Sequence, residues 1–174
     1  GVPVTSVAYG VNEHLAPAGD ELLAATQPSA TARRLAAVWN RYGNFVRALA
    51  RKLAIDYRAA LSVFVIEAGS RAYDENGRMI VRCEAHLLER WGGNRAVWAQ
   101  YFTRDFNAQA WVGHRVRCDP AAEWISYHNN NTLEWQVIDL AGRLFGREAA
   151  SRSTSMGLPQ VLGDNFRALG YGSA

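Results

Sequence analysis

Glu67 closes the apolar run LSVFVI (61–66), and the small residues Ala68, Gly69 and Ser70 follow it. On a helix it falls three residues after Phe64, at the edge of an apolar stripe and at the C-terminal end. Desolvation disfavours its anion, and so does the negative end of the helix dipole, so both raise the pKa expected of it. A carboxyl kept neutral near physiological pH is a general acid, notably towards a glycosidic oxygen. An exposed glutamate at a helix end has the same spacing and none of this chemistry. A second set of residues lies in SMGLPQ (155–160), where Ser155, Gly157 and Gln160 are small or neutral polar residues in a loop. They suit the border of a sugar site, Gln160 both donating and accepting hydrogen bonds. A plain turn has the same composition.

The other chemistry to weigh is a metal centre. CEAH (83–86) puts a thiol and an imidazole three residues apart, and His114 and Cys118 would complete a zinc site on paper. The paired C-x-x-C and H-x-x-x-H spacings of such sites are missing, so neither a metal nor another cofactor is expected. The two cysteines, Cys83 and Cys118, make no disulfide framework. Cys83 stands in an apolar stretch and reads as a small buried hydrophobe.

Positioning these residues falls to a mainly helical chain. From Thr31 the pattern is helical: Leu35, Val38 and Trp39 share a face, and Gly43 is expected to end the segment. Phe45, Leu49 and Leu53 continue at helical spacing. Asp56 is a plausible N-cap for a helix carrying Tyr57, Leu61, Phe64, Val65 and Ala68, stopped by Gly69. Asn76-Gly77 signals a tight turn, and MIVRC (79–83) a short strand, so a small hairpin is expected here. CEAHLLERW (83–91) reads as a helix closed by Gly92 and Gly93. Residues 94–128 are aromatic and irregular, and no element is assigned to them. NTLEWQVIDLAGRLFG (131–146) is a helix with Leu133, Val137, Leu140, Ala141 and Leu144 on one side. The tail reads as a loop, then a short helix capped by Asp164 and ended by Gly170. Residues 1–30, rich in Ala, Pro, Gly, Thr and Ser, read as an N-terminal extension with one short helix around ELLAAT; residues 31–174 form the domain. The fold class is α+β, mainly α, without the strand–helix alternation of a doubly wound sheet.

Composition narrows the classes further. A chain of 174 residues can bury one real core, and 49% hydrophobic with 20% charged residues is the balance of a globular protein. No apolar run approaches the ~20 residues of a membrane span. The opening GVPVTSVAYGVNEHLAPAG has neither the basic nor the apolar region of a secretory signal. The net charge of +3 suits an anionic polymer, whether cell wall, nucleic acid or lipid surface, without choosing among them. Its basic residues are scattered rather than in a run, so nucleic-acid binding is not expected.

Two separated motifs say more. Glu67 is followed by Gly77-Arg78, Glu84 and His86 at offsets of 10, 17 and 19. Later come Glu134-Trp135, STSMGLPQVLGDN (153–165) and Gly170-Tyr171. Over residues 31–174 the chain resembles the phage-type N-acetylmuramidase family, lysozyme-like peptidoglycan hydrolases found as endolysin catalytic domains and in related bacterial proteins. In that family an apolar helix ends on a catalytic glutamate, with Gly-Arg, a second glutamate and a histidine at those offsets. The helix RLAAVWNRYGNFVRALARKLAID also resembles the segment leading to that glutamate. The chain departs from the pattern in Ala68-Gly69, where a serine usually follows the acid, in Arg82-Cys83, where an aliphatic residue and phenylalanine are common, and in Asp164, where an aromatic is common. Family domains also continue beyond the point matching Ala174, so a C-terminally truncated domain is expected.

The resemblance implies a lysozyme-like helical fold with a small β-hairpin and hydrolysis of the β-1,4 bond between N-acetylmuramic acid and N-acetylglucosamine. Glu67 would protonate the leaving oxygen and Glu84 would support the oxocarbenium-like transition state; a structural Glu84 paired with Arg78 or Arg82 is the alternative. His86 either orients Glu84 or is a core histidine. Tyr73, His86, Ser155, Gly157, Gln160 and Asn165 are the expected substrate-binding positions, and one or two of Tyr73, Trp91, Trp111 and Trp124 would stack on sugar rings. The implied partners are peptidoglycan glycan strands, with no nucleic acid and no membrane insertion, in the setting of a phage-like or secretion assembly. Synthesis in the cytoplasm and action at the bacterial cell wall follow. Two rival readings are a lytic transglycosylase giving 1,6-anhydro products, and a catalytically inactive wall-binding or structural module of a phage-like particle.

Overall fold

The computed structural model describes residues 26–67, 71–107, 110–128 and 130–174, with the side chains of all of these but Glu67, 105–107 and 110–112. The segment ELLAAT, save its last residue, and the stop at Gly69 lie outside the described residues. The chain forms two compact units, the first ending at Ala72 and the second beginning at Tyr73.

The first unit is a helix pair, α1 (Ala30–Leu53) and α2 (Tyr57–Glu67). Ser29 caps α1 by accepting the Ala32 N–H on its hydroxyl at 3.1 Å. Arg51 and Lys52 in the last turn complement the helix dipole. The expected stop at Gly43 is overturned, because α1 runs straight through it. Gly43 is buried on the same face as Trp39, Tyr42, Val46 and Ala50. Its propensity cost of about 1 kcal/mol is smaller than the roughly 1.5–3 kcal/mol from burying each large apolar side chain of that face. The stripe is also rotated from the expected one: Phe45 and Leu53 are exposed, and Phe45 instead stacks at the margin on Phe64, with ring centroids 6.0 Å apart. Asp56 does cap α2, its Oδ1 accepting the Arg58 N–H at 2.7 Å. Ala60 and Phe64 are the buried residues among that helix's described side chains.

The second unit opens on the expected hairpin. Asp74 N–H donates to the Arg78 carbonyl at 2.8 Å, Tyr73 bridges Met79, and Gly77 takes the left-handed φ of 72° that the turn requires. Then follow β1 (Val81–Cys83), α3 (Ala85–Trp91), α4 (Arg95–Tyr101), β2 (Phe102–Asn107), β3 (Ala110–Val116), β4 (Ile125–Ser126), α5 (Asn131–Phe145), α6 (Arg147–Arg152), β5 (Thr154–Met156), β6 (Val161–Leu162) and a 3₁₀ helix (Gly163–Phe166). Two three-stranded antiparallel sheets result, in the orders β1-β5-β6 and β2-β3-β4. The class is α+β, mainly α. The unassigned stretch 94–128 therefore holds a helix and a sheet, and the expected loop of the tail holds a strand pair. The β2–β3 and β5–β6 pairs join neighbouring segments, Asn107 facing Ala110 and Met156 facing Val161, but no Asn-Gly or Asp-Gly turn signal marks them; the β1–β5 ladder is the pairing between distant segments. Asp164 does not cap a helix; its carboxylate accepts from Arg152 Nε at 2.7 Å. Gly163 is required by close approach, since a Cβ there would lie 1.9 Å from the Ser151 carbonyl oxygen.

The second unit's core gathers Leu88 of α3, Trp98 of α4, Phe102 of β2, Tyr127, and Val137 and Leu140 of α5. Trp98 satisfies its indole N–H on the Ala85 carbonyl at 2.9 Å. Asn131 at the start of α5 ties in the hairpin: Nδ2 donates to Asp74 Oδ2 (2.8 Å) and the Met79 carbonyl (3.1 Å), and Oδ1 accepts the Val81 N–H (3.1 Å). Trp135 donates to the same Met79 carbonyl at 3.0 Å.

Candidate functional site

Glu84 follows β1 and occupies the N-cap position of α3. Its backbone N–H donates to the Ser153 carbonyl at 2.8 Å, which fixes the strand-to-helix corner against the end of α6. The carboxylate does not cap its own helix. Arg82 Nε holds Oε1 at 3.0 Å, while Oε2 faces two imidazoles, His86 Nδ1 at 3.7 Å and His114 Nδ1 at 3.8 Å. The side chain keeps 19% of its surface exposed. The expected pairing with Arg82 is thus present, and so is the expected neighbour His86.

Behind Glu84 runs a polar chain that sequence spacing did not indicate. His86 Nδ1 lies 3.2 Å from His114 Nε2, His114 Nδ1 lies 2.8 Å from His128 Nε2, and His128 Nδ1 donates to Glu134 Oε1 at 2.7 Å. Glu134 Oε2 accepts the Cys83 N–H at 2.8 Å. A carboxylate only accepts, so Glu134 sets the tautomers outward from the core. His128 carries its proton on Nδ1, leaving Nε2 to accept from His114 Nδ1–H, which leaves a lone pair on His114 Nε2. His114 is buried, and burial first, then repulsion of a second proton by the neighbouring imidazoles His128 and His86 and by the charges of Arg82 and Arg104, lowers its pKa to about 3. It is therefore a neutral imidazole across the physiological range. Tyr127 lies parallel to it at 6.2 Å between centroids and donates its hydroxyl hydrogen to the Cys83 carbonyl at 2.9 Å. Burial pushes the Cys83 thiol well above the usual cysteine value, which makes it the inert hydrophobe the sequence suggested.

These groups come from four elements. His114 points inward on β3 between the exposed Arg115 and the half-buried Gly113, His128 follows β4, and Glu134 sits one turn before Val137 on the buried side of α5. One signal could have found the chain: a glutamate falling on the apolar stripe of α5, three residues before Val137, needs a buried partner.

Of the other expected positions, Ser155 pairs with Arg82 across the β1–β5 ladder. Gly157 donates its N–H to the Ile80 carbonyl at 2.9 Å. The small sheet and hairpin thus place Ser155 opposite Arg82, Gly157 beside Ile80 and Tyr73 opposite Met79, along the strand that leads into Glu84. Gln160 directs Nε2 back onto the Gly157 carbonyl at 2.8 Å, bracing its own turn. Asn165 is exposed on the 3₁₀ helix. Arginine guanidiniums lie over Trp91 (Arg152, 3.6 Å) and Trp124 (Arg117, 4.4 Å). Glu67 is the last residue of α2; its carboxyl, like the Trp111 ring, lies outside the described residues.

No described helix is long and apolar enough to cross a membrane. Among curated proteins no significant match was found. Among solved structures the chain is similar to the Burkholderia AP3 phage endolysin, at 18% identity and a TM-score of 0.55 over 97% of this chain and 58% of that one. At that identity the likeness is one of fold, and the chain spans well under two thirds of the endolysin's length. The sequence model of the N-acetylmuramidase family matches residues 56–174, a span holding Glu67, Glu84 and the whole histidine chain. With more than half of its length matched, this chain belongs to the N-acetylmuramidase family.

Proposed function

We propose that the protein is a peptidoglycan hydrolase that cleaves the β-1,4 bond between N-acetylmuramic acid and N-acetylglucosamine. The observation that carries the reading is the family match over residues 56–174, within which Glu67 and Glu84 keep the spacing of the family's two glutamates. In this mechanism Glu67, as a neutral acid, donates its proton to the glycosidic oxygen as the C1–O bond breaks. Positive charge builds on the sugar ring, and the Glu84 carboxylate stabilises it before water completes the reaction. The partial exposure of Glu84 and the histidines beside it support that role, while its ion pair with Arg82 is the feature of a structural glutamate. Ser155, Gly157 and Tyr73 beside it would border the sugar, with Gln160 and Asn165 further along. The chain would act at the bacterial cell wall.

The test is Glu67→Gln, which keeps the size of the side chain and removes the acid. Turbidity clearing of cell-wall suspensions should fall by at least about a hundredfold, with peptidoglycan binding retained. Product mass identifies the reaction: hydrolysis adds water, whereas a 1,6-anhydro product means transglycosylation. Absence of clearing by both forms, with binding intact, would make the chain a wall-binding module instead.

A further inference from the structure

We propose that Glu84, His86 and His114 form a binding site for a divalent transition metal of the zinc class. One ligand atom from each residue lies within 4.8 Å of the others. His86 Nδ1 and His114 Nε2 are 3.2 Å apart, and Glu84 Oε2 is 3.7 Å from His86 Nδ1. An ion bound tetrahedrally with bonds of about 2.0–2.2 Å holds its ligands roughly 3.3–3.5 Å apart. The two imidazoles stand close to that spacing; Glu84 Oε2 is 3.8 Å from His114 Nδ1, the nitrogen turned to His128, so the carboxylate has to turn toward the Nε2 side to complete the set. Two imidazoles and one carboxylate are the donor set that zinc and its neighbours accept with a fourth position left for water, and a poor set for magnesium or calcium.

The surroundings fit such a site. His114 is anchored from behind, its Nδ1 on His128 at 2.8 Å and His128 in turn on Glu134 at 2.7 Å. That is the outer hydrogen bonding that fixes a ligating histidine's tautomer and ring orientation. The same chain leaves the His114 Nε2 lone pair directed at His86. His114 is fully buried while His86 and Glu84 keep 37% and 19% of their side chains exposed, so an ion has an entry path and a rigid floor. Arg82 engages only Oε1 of Glu84 and leaves Oε2 on the histidine side. Its charge and that of Arg104 oppose a cation and moderate the affinity. The cysteines are not part of the set: Cys83 is buried behind the strand and Cys118 is exposed elsewhere.

Metal binding here does not depend on the hydrolase reading. If Glu84 is the carboxylate of that mechanism, an occupied site withholds it from the sugar and zinc inhibits clearing; that consequence alone rests on the proposal above.

The experiment is equilibrium dialysis of the full chain, stripped with EDTA, against low-micromolar zinc chloride, with metal counted by mass spectrometry. Cobalt absorption reports the ligand type. Wild type and Cys118→Ser should each bind one zinc per chain, and the cobalt form should show d–d bands without a thiolate charge-transfer band. His86→Gln, at a half-exposed position, should bind at least about tenfold more weakly. Glu84→Gln is the second variant and should weaken binding likewise, with circular dichroism checking that each variant is folded. No zinc on wild type, undiminished binding by both folded variants, or loss of binding in Cys118→Ser would each overturn the site.

Discussion

The two units hold their helices by different means. In the first, α1 and α2 meet through rings and small residues, Trp39 on Tyr57 at 5.4 Å and Phe45 on Phe64 at 6.0 Å. Much apolar surface stays in water there, Ile66 being 77% exposed and Leu53 54%. In the second unit the apolar core encloses a polar chain, His114–His128–Glu134, anchored to the backbone of β1. Apolar packing is undirected and tolerates rotation of a stripe, as the shift from Phe45 to Val46 illustrates. A buried hydrogen-bonded chain has one arrangement in which every group is satisfied, and so it fixes the strand-to-helix corner carrying Glu84. Polar burial in the second unit thus fixes the corner that carries Glu84, one of the two carboxylates of the proposed mechanism.

That contrast can be broken at three points. The largest effect belongs to Glu134→Ala, which strips the partner from His128 and from the Cys83 N–H. A loss of about 3–5 kcal/mol is expected in urea denaturation, with faster hydrogen exchange confined to β1, α3 and α5. A loss below about 1 kcal/mol would mean that the polar chain is dispensable and that the two units do not differ as argued.

Next is Asp74→Ala in the hairpin turn, with an expected loss of about 1–2 kcal/mol near neutral pH. Burial alone would raise the Asp74 pKa. The hydrogen bonds from Asn131 and from the Arg78 and Asn76 amides, with the charge of Arg78, together hold it below the usual 3.8. A carboxyl whose folded pKa is depressed adds stability that is complete above its unfolded value and lost as pH falls through the folded one. The gap between wild type and Asp74→Ala should therefore be constant above pH 3.8 and shrink below it. A gap that widens on acidification contradicts this account of the turn.

The smallest effect is expected in the first unit. Ile66→Ser alters a side chain that is 77% exposed and should change stability by no more than about 0.5 kcal/mol. A loss of several kcal/mol would show that this face is held against something, and the two units would then be equally dependent on burial.

Much of the fold is legible in the residue order. The capping by Asp56, the turn at Asn76-Gly77, the helix over 85–91 and the helix ending at Phe145 all rest on interactions within a few residues, and local composition reports those well. Gly43 misled because a single residue's propensity is weaker than the burial of the face around it. The strands of 102–126 and 154–162 escape the sequence reading because their turns carry no Asn-Gly or Asp-Gly signal, although β2–β3 and β5–β6 pair between neighbouring segments; only the β1–β5 ladder needs a distant partner.

The site divides along the same line. Sequence alone carries the spacing of Glu67, Glu84 and His86 that resembles the family's motif, and the apolar setting that makes Cys83 a core residue, since both follow from residue type and order. Only the tertiary structure decided that His114, His128 and Glu134 stand behind Glu84. They come from β3, the turn after β4, and α5: His114 meets His128 at 2.8 Å across 14 residues of chain, His128 meets Glu134 at 2.7 Å across 6, and His86 reaches His114 at 3.2 Å across 28. A hydrogen bond leaves no trace in the order of residues when each partner is set by its own element's packing, and here Glu134 of α5 ties the chain to β1 through the Cys83 N–H.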